Sequence, residues 1–154
     1  MNRQFEEKTK EAPFWERKTL EEMSREEWES LCDGCAKCCL NKLESDRTGE
    51  VYYTDVACKL LDSRTCRCLS YENRGQLVPG CANLTPENVR KFHWLPETCA
   101  YGRLARGKDL YKWHYLISGK PDLVHKLGIS VKNRVISETA IHKSELPLHV
   151  VDWK

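Results

Sequence analysis

The chain reads as a small α+β domain, helix-rich and loop-rich, organised around a cysteine metal site and carrying a minor β element. Three observations predict this class. Four of its nine cysteines fall within eight consecutive positions, Cys32-Asp-Gly-Cys35-Ala-Lys-Cys38-Cys39, and thiolates spaced in this way fold back onto one soft cation or one cluster. Helix-start signals recur along the chain, but each opens only a short periodic stretch. Leu, Ile, Val and Phe supply 33 of the 154 residues, about a fifth, close to the lower limit for a globular protein. So lean a core gains from metal–thiolate cross-links, because metal-binding free energy in such domains is also folding free energy.

Residues 1–18 read as a charged, loosely docked arm carrying Phe14 and Trp15 beside Pro13. The cysteine-cluster domain then spans 19–143, and 144–154 is a short tail with no decisive signal. The first strong element opens at Ser24, whose hydroxyl as N-cap pairs with Glu27 three residues on in a capping box. Behind it Trp28, Leu31, Cys32 and Cys35 share one helical face, so the helix is expected to deliver Cys32 from its last turn. Gly34 suits the break that follows. Glu50-Val-Tyr-Tyr-Thr-Asp-Val56 is rich in β-branched and aromatic residues and reads as a strand.

Residues 57–84 hold four cysteines among Asp, Ser, Asn, Gly and Pro, which predicts irregular loops. Thr85-Pro86-Glu87 opens a helix to about Phe92, and Pro96 opens another through Arg106, ended by Gly107. A further helix is expected from Pro121 to Leu127, closed by Gly128. Ile129–Ile136 is β-rich and reads as a second strand.

Charge is uneven. Residues 1–31 hold six Lys/Arg against nine Asp/Glu, whereas 102–143 hold nine against three. That basic half suits an anionic partner or an ordinary solvated surface. The first ten residues lack an apolar run, and no stretch approaches 18 apolar residues. Both observations lead to the expectation of a cytoplasmic protein without a membrane span. There thiols stay reduced, and an odd cysteine count leaves one over after pairing, which favours metal ligation over disulfides.

The candidate ligands are Cys32, Cys35, Cys38, Cys39, Cys58, Cys66, Cys68, Cys81 and Cys99. No histidine lies between residues 32 and 81, so a site there is built from sulfur, which suits zinc or iron, as an ion or an iron–sulfur cluster. Adjacent residues rarely aim both side chains at one tetrahedral ion without strain. Cys38 and Cys39 therefore serve different centres, or one is a ligand and the other spare. Nine sulfurs supply two four-ligand sites plus one free thiol, or one cluster and several structural thiols.

Cys32 to Cys39, then Ala57-Cys-Lys-Leu-Leu-Asp62, then Cys66-Arg-Cys68-Leu-Ser-Tyr-Glu-Asn-Arg74 resemble the CxxCxxCC superfamily, named for zinc or iron chelation. Within it, Trp94-Leu-Pro-Glu-Thr-Cys-Ala-Tyr101, the Trp113-His114 pair and Gly128-Ile-Ser-Val131 are similar to the bacterial YcgN-like cysteine-cluster proteins. The likeness spans roughly residues 14–138. It implies a metal-binding protein without an assigned activity. Related clusters in flagellin lysine methylases make methyl transfer conceivable, but no Gly-rich nucleotide loop follows a strand here, and the chain is short for a stand-alone methyltransferase.

Other residues carry second readings. His93 and His114 suit ligation or general-base chemistry, although a histidine beside an aromatic is more often a hydrogen-bonded packing residue. Tyr71-Glu72-Asn73-Arg74 reads either as support for the thiolates or as a surface turn. Trp94, Tyr101, Tyr111, Trp113 and Tyr115 among basic residues suit base stacking, but in so lean a core burial is favoured. Three functions follow: a metal-binding protein with a redox, sensing or accessory role; an iron–sulfur enzyme or enzyme subunit with a pocket near His93, Tyr101 or His114; and a zinc-stapled module for nucleic acid or an acidic protein.

Overall fold

A computed structural model describes residues 12–153. The architecture is α+β, with short helices around a small mixed sheet. Helix α1 (Phe14–Arg17) is followed by α2 (Arg25–Ser30). The capping box is present: the Ser24 hydroxyl accepts from Glu27 N at 3.1 Å while the Glu27 carboxylate accepts from Ser24 N at 2.9 Å. Lys18 Nζ donates to the same Glu27 carboxylate at 2.7 Å. Residues 1–11 of the charged arm lie outside the described residues, whereas Phe14 and Trp15 pack against the largest apolar cluster.

Strand β1 (Leu40–Glu44) leaves the cysteine run directly and pairs antiparallel with β2 (Val51–Ala57). The Cα register runs Leu40↔Ala57, then Lys42↔Tyr53, with an irregularity at Asn41. Side chains satisfy the backbone there: Thr54 Oγ1 donates to Asn41 O at 2.7 Å, and Asn41 Nδ2 to Val56 O at 3.2 Å. Such a bulge bends the ribbon without leaving buried polar groups unpaired. The expected 50–56 strand is thus present, but its partner was not foreseen.

The second strand is shorter than Ile129–Ile136. Only β5 (Ile136–Ser137) pairs, parallel to Val56 and Ala57. Residues 57–84 are likewise more ordered than irregular loops. They form a two-stranded hairpin, β3 (Leu61–Asp62) with β4 (Arg67–Cys68), and helix α3 (Arg74–Leu77). The Thr85 cap closes on Asn88, yet only a single 3-10 turn, Val89–Lys91, follows. Helix α4 (Ala100–Ala105) starts four residues after Pro96, with Cys99 at its N-cap. Helices α5 (Tyr115–Ser118) and α6 (Leu123–Lys126) complete the set. The C-terminal segment lies against β2: Val151 N donates to Tyr53 O at 2.9 Å, and Trp153 Nε1 to Thr54 O at 3.1 Å.

Three small apolar clusters replace one core. The largest joins Leu20, Trp28, Leu31, Val89, Leu95, Tyr101 and neighbours; the second joins Ala36, Leu40, Ala57, Cys66 and Val131; the third joins Cys35, Val124 and Ile129 under Trp113. The ten residues from Leu31 to Leu40 thread all three. The cysteine run is therefore the seam of the molecule as well as its candidate site. Among the described residues, no helix is long and apolar enough to cross a membrane.

Candidate metal centre

Helix α2 stops at Ser30, so Cys32 lies beyond it and not in its last turn. Four backbone carbonyls at a helix end lack intrahelical partners, and here distant side chains take three of them. Tyr101 Oη donates to Trp28 O at 2.8 Å, Tyr115 Oη donates to Ser30 O, and His114 Nε2 donates to Leu31 O at 2.8 Å. His114 is 1% exposed, and its Nδ1 accepts from Leu116 N at 3.1 Å. With both ring nitrogens engaged, His114 is held as the neutral Nε2–H tautomer and leaves no lone pair for a metal. Its function in the fold is to aim the chain into Cys32. His93 is exposed on the surface.

The run then makes two sharp turns. Gly34 and Ala36 both adopt left-handed backbone, with φ of 81° and 63°. Nothing lies within 4 Å of a Cβ built on Gly34, so glycine serves conformation there and not space. At Ala36 the same conformation costs about 1 kcal/mol, offset by burial of its methyl in the second cluster.

All nine cysteines are free. Among the described residues, no group of three or more His, Cys, Asp or Glu side chains stands ready to hold a metal ion. The thiols nevertheless divide by neighbourhood. Cys38 and Cys99 both act through charge on Cys32 and on Cys35, and Cys38 acts also on Cys39 and Cys81. Burial pushes Cys32 up to about 12 and Cys99 to about 11, and raises Cys35 well above its ordinary value. Cys32 and Cys38 lie on a cavity floor that water reaches, with their sulfurs deep among protein atoms.

The second neighbourhood holds Cys39, Cys58, Cys68 and Cys81. Cys58 N donates to Cys39 O at 2.8 Å, one rung beyond the Leu40↔Ala57 pair, which sets the two residues opposite each other at the end of the ladder. Cys68 ends β4, paired with Leu61, and its charge raises both Cys58 and Cys81 behind the larger effect of burial. All four line one cavity of about 490 Å³, together with Cys32, Cys38, Trp28, Lys42, Tyr71 and Arg74.

Cys38 and Cys39 sit at the step between the sets. Their side chains hydrogen-bond, with Cys38 as acceptor, which lowers Cys38 to about 7 and raises Cys39. Cys66 stands apart. It is buried in the second apolar cluster and bonded to the Ser130 side chain.

Backbone amides converge on the sulfurs. Leu60 N donates to the Cys58 sulfur at 3.5 Å, and the backbone amides of Gly34, Lys37, Tyr101 and Gly102 act to lower Cys32, Cys35 and Cys99 against the larger effect of burial. Such donors favour the thiolate over the thiol. Asp33 Oδ1 accepts from Cys35 N at 2.9 Å, while its Oδ2 is buried without a hydrogen-bond partner. Burial raises Asp33, and its charge in turn raises Cys32, Cys35 and Cys99. A divalent cation among these groups would reverse that field. The donor set, thiols served by amides around an orphaned carboxylate oxygen, fits a soft cation.

Cations also frame the cavity. Lys42 Nζ donates to Leu40 O at 2.7 Å and lies over the Trp94 ring at 4.4 Å. Desolvation lowers its pKa, while Cys38, Cys39 and Cys81 act to raise it. Arg74 stacks on Tyr71 at 3.7 Å and donates to Asn83 Oδ1 at 2.7 Å. Glu72 faces the surface, 3.8 Å from Arg25. The aromatics considered for base stacking have aromatic neighbours within the fold: Tyr101 lies tilted against Trp28 at 4.6 Å, Tyr111 stacks with Trp113 at 5.8 Å, and Trp94 meets Phe92 edge-on at 5.5 Å.

Residues 31–100 match the family model CxxCxxCC, described as "Putative zinc- or iron-chelating domain". The chain is 57% identical over 141 residues to a UPF0260 protein of Rhizobium etli strain CIAT 652, covering 92% of this chain and 89% of that one. A UPF0260 protein of Mesorhizobium japonicum is 58% identical over 136 residues, covering 88% and 92%. One from Rhodopseudomonas palustris strain BisA53 is 55% identical over 141 residues, covering 91% and 83%. No solved structure matches. Near-full-length identity at this level, with the cysteine run inside the matched domain, makes the chain a member of the UPF0260 family within the CxxCxxCC superfamily.

Proposed function

We propose that the protein binds zinc or iron through thiolates, with Cys32, Cys35, Cys38 and Cys99 holding one metal, and that its role is redox, sensing or accessory. One observation carries the reading. Cys32, Cys35 and Cys38 lie in the run that threads three apolar clusters, Cys99 caps α4, and the charges of Cys38 and Cys99 bear on Cys32 and Cys35. A metal there would join α2, the cysteine run and α4, supplying cross-links that the small clusters lack.

A second reading, an iron–sulfur enzyme or enzyme subunit acting in protein modification such as methyl transfer, draws support from the cavity of about 490 Å³ beside six cysteines. That is ample for a small ligand. Anaerobic purification with metal analysis and an absorption spectrum on one sample separates the two. Stoichiometric metal supports thiolate binding, and visible sulfur-to-iron bands favour the redox and enzymatic readings. A colourless zinc protein counts against the enzyme, and a folded, metal-free protein overturns both.

A further inference from the structure

We propose that a second cavity, between β2, the C-terminal segment and the chain leading into α4, binds a small organic carboxylate with a flat apolar body, seated on the ammonium group of Lys37. No cysteine lines this cavity, and the proposal does not depend on the thiolate reading.

Lys37 carries the inference. Only 3% of its surface is exposed. Among the described residues its ammonium group makes one hydrogen bond, a long one of 3.4 Å to Thr98 Oγ1, and no carboxylate forms an ion pair with it. Its charge reaches Asp33, but behind the effects of burial, of Cys35 and of His114. An ammonium group has three donors, and an ammonium withdrawn from water without an anionic partner is among the costliest groups to bury. Lys37 therefore keeps donors, and an unmatched charge, for an anionic ligand.

The fold brings that charge to a ligand-sized space. Lys37 and its partner Thr98 both line a cavity of about 670 Å³, within the range of small-molecule sites. The 3-10 turn Lys37–Cys39, entered through the left-handed Ala36, sends consecutive residues to different cavities: Lys37 to this one and Cys38 to that of the cysteines. Tyr53, Trp94 and Trp153 supply aromatic walls. Internal bonds hold those walls in place: Tyr53 Oη donates to Trp94 O, Trp153 Nε1 donates to Thr54 O at 3.1 Å, and Arg134 lies over the Trp153 ring at 4.7 Å. Apolar walls, largely preformed, around a few convergent polar groups are the usual make-up of a small-ligand pocket.

Charge narrows the class of ligand. Glu50, Glu97 and Asp152, all exposed, line the same cavity. Glu97 is held by Lys108 at 2.9 Å and Arg103 at 3.5 Å, and Glu50 accepts from Tyr52 Oη at 2.9 Å. A single buried cation among these acids suits one negative charge, whereas a phosphate group with nearly two charges meets their repulsion. A carboxylate also matches the donors, one oxygen accepting from Lys37 Nζ and the other from the Thr98 hydroxyl.

The test is isothermal titration calorimetry of the full chain, purified anaerobically, with benzoate, phenylacetate and 2-naphthoate. Benzamide, acetate and inorganic phosphate serve as comparators. At least one aromatic carboxylate should bind, and the uncharged amide, acetate and phosphate should bind about tenfold more weakly or not at all. Lys37→Met should lower carboxylate affinity about tenfold or more, as expected on loss of a charge-assisted hydrogen bond. The same variant should melt no lower than the wild type without ligand, because it replaces a poorly matched buried charge by an apolar chain of similar length. Absence of binding by all three carboxylates, equal binding of benzamide or phosphate, or unchanged affinity in Lys37→Met overturns the proposal. So does a Lys37→Met chain that unfolds or melts well below the wild type, since the ammonium would then be matched within the fold. Equal binding of acetate removes the role of the aromatic walls and overturns the stated ligand class. None of these outcomes bears on thiolate metal binding.

Discussion

The two cysteine neighbourhoods differ in what surrounds them. Cys32, Cys35, Cys38 and Cys99 lie where three apolar clusters meet and where the helix that precedes them has its carbonyls capped by Tyr101, Tyr115 and His114. Cys39, Cys58, Cys68 and Cys81 lie along the two hairpins and the turn after α3, on the wall of a cavity that Cys32 and Cys38 line as well. Cys35 and Cys66 are buried in apolar clusters, whereas Cys32, Cys38, Cys39, Cys58, Cys68 and Cys81 line one cavity, so substitutions in the two settings are expected to differ in what they do to the fold.

The largest effect expected comes from Cys35, which is buried, taken with the half-buried Cys99. Cys35→Ser with Cys99→Ser should abolish cooperative thermal unfolding, followed by circular dichroism, because it removes the link between the clusters and introduces hydroxyls into apolar surroundings. Cys58→Ser with Cys68→Ser should keep a cooperative transition. Equal collapse of the two variants would erase the contrast.

His114→Phe comes next. It strands the carbonyl of Leu31 and the N–H of Leu116, two buried groups, at about 1–3 kcal/mol each, in a denaturant melt. Zinc content should remain that of the wild type, since both ring nitrogens are already engaged. Zinc loss from a folded variant would instead make His114 a ligand.

Tyr101→Phe removes one donor from Trp28 O and should cost about 1 kcal/mol, again without loss of metal. A comparable cost, about 1 kcal/mol, is expected for Ser24→Ala, which deletes the N-cap of α2. The partner in that cap gives a pH signature. Hydrogen bonds from Lys18 and from the backbone of Ser24 hold Glu27 below its ordinary value of 4.5. The stability it contributes is complete above pH 4.5 and is lost as pH falls through its lowered folded value. Unfolding melts across that acid range should show a smaller slope for Glu27→Gln than for the wild type.

Much of the frame was legible in the sequence because its signals are local. Ser24 and Glu27 are three residues apart, and the β-branched and aromatic run before Ala57 matches a pleated, half-buried surface. Pairing across distance was not legible. Leu40-Asn-Lys-Leu-Glu44 lacks a strong strand pattern, so nothing local foretold that β1 would set Cys39 opposite Cys58. The end of α2 depends on carbonyl caps supplied from more than 70 residues away, and the helical face of Trp28, Leu31, Cys32 and Cys35 continued on paper past the point where those caps stop it. Cys99 and Cys81 carry no spacing that marks which set each joins; tertiary contacts alone decide it.

X-ray absorption at the metal edge of the anaerobically purified protein tests the central claim most directly. Thiolate ligation predicts a first shell of sulfur alone, at about 2.3 Å for zinc. A first shell dominated by nitrogen or oxygen, or a folded protein without metal, would contradict it.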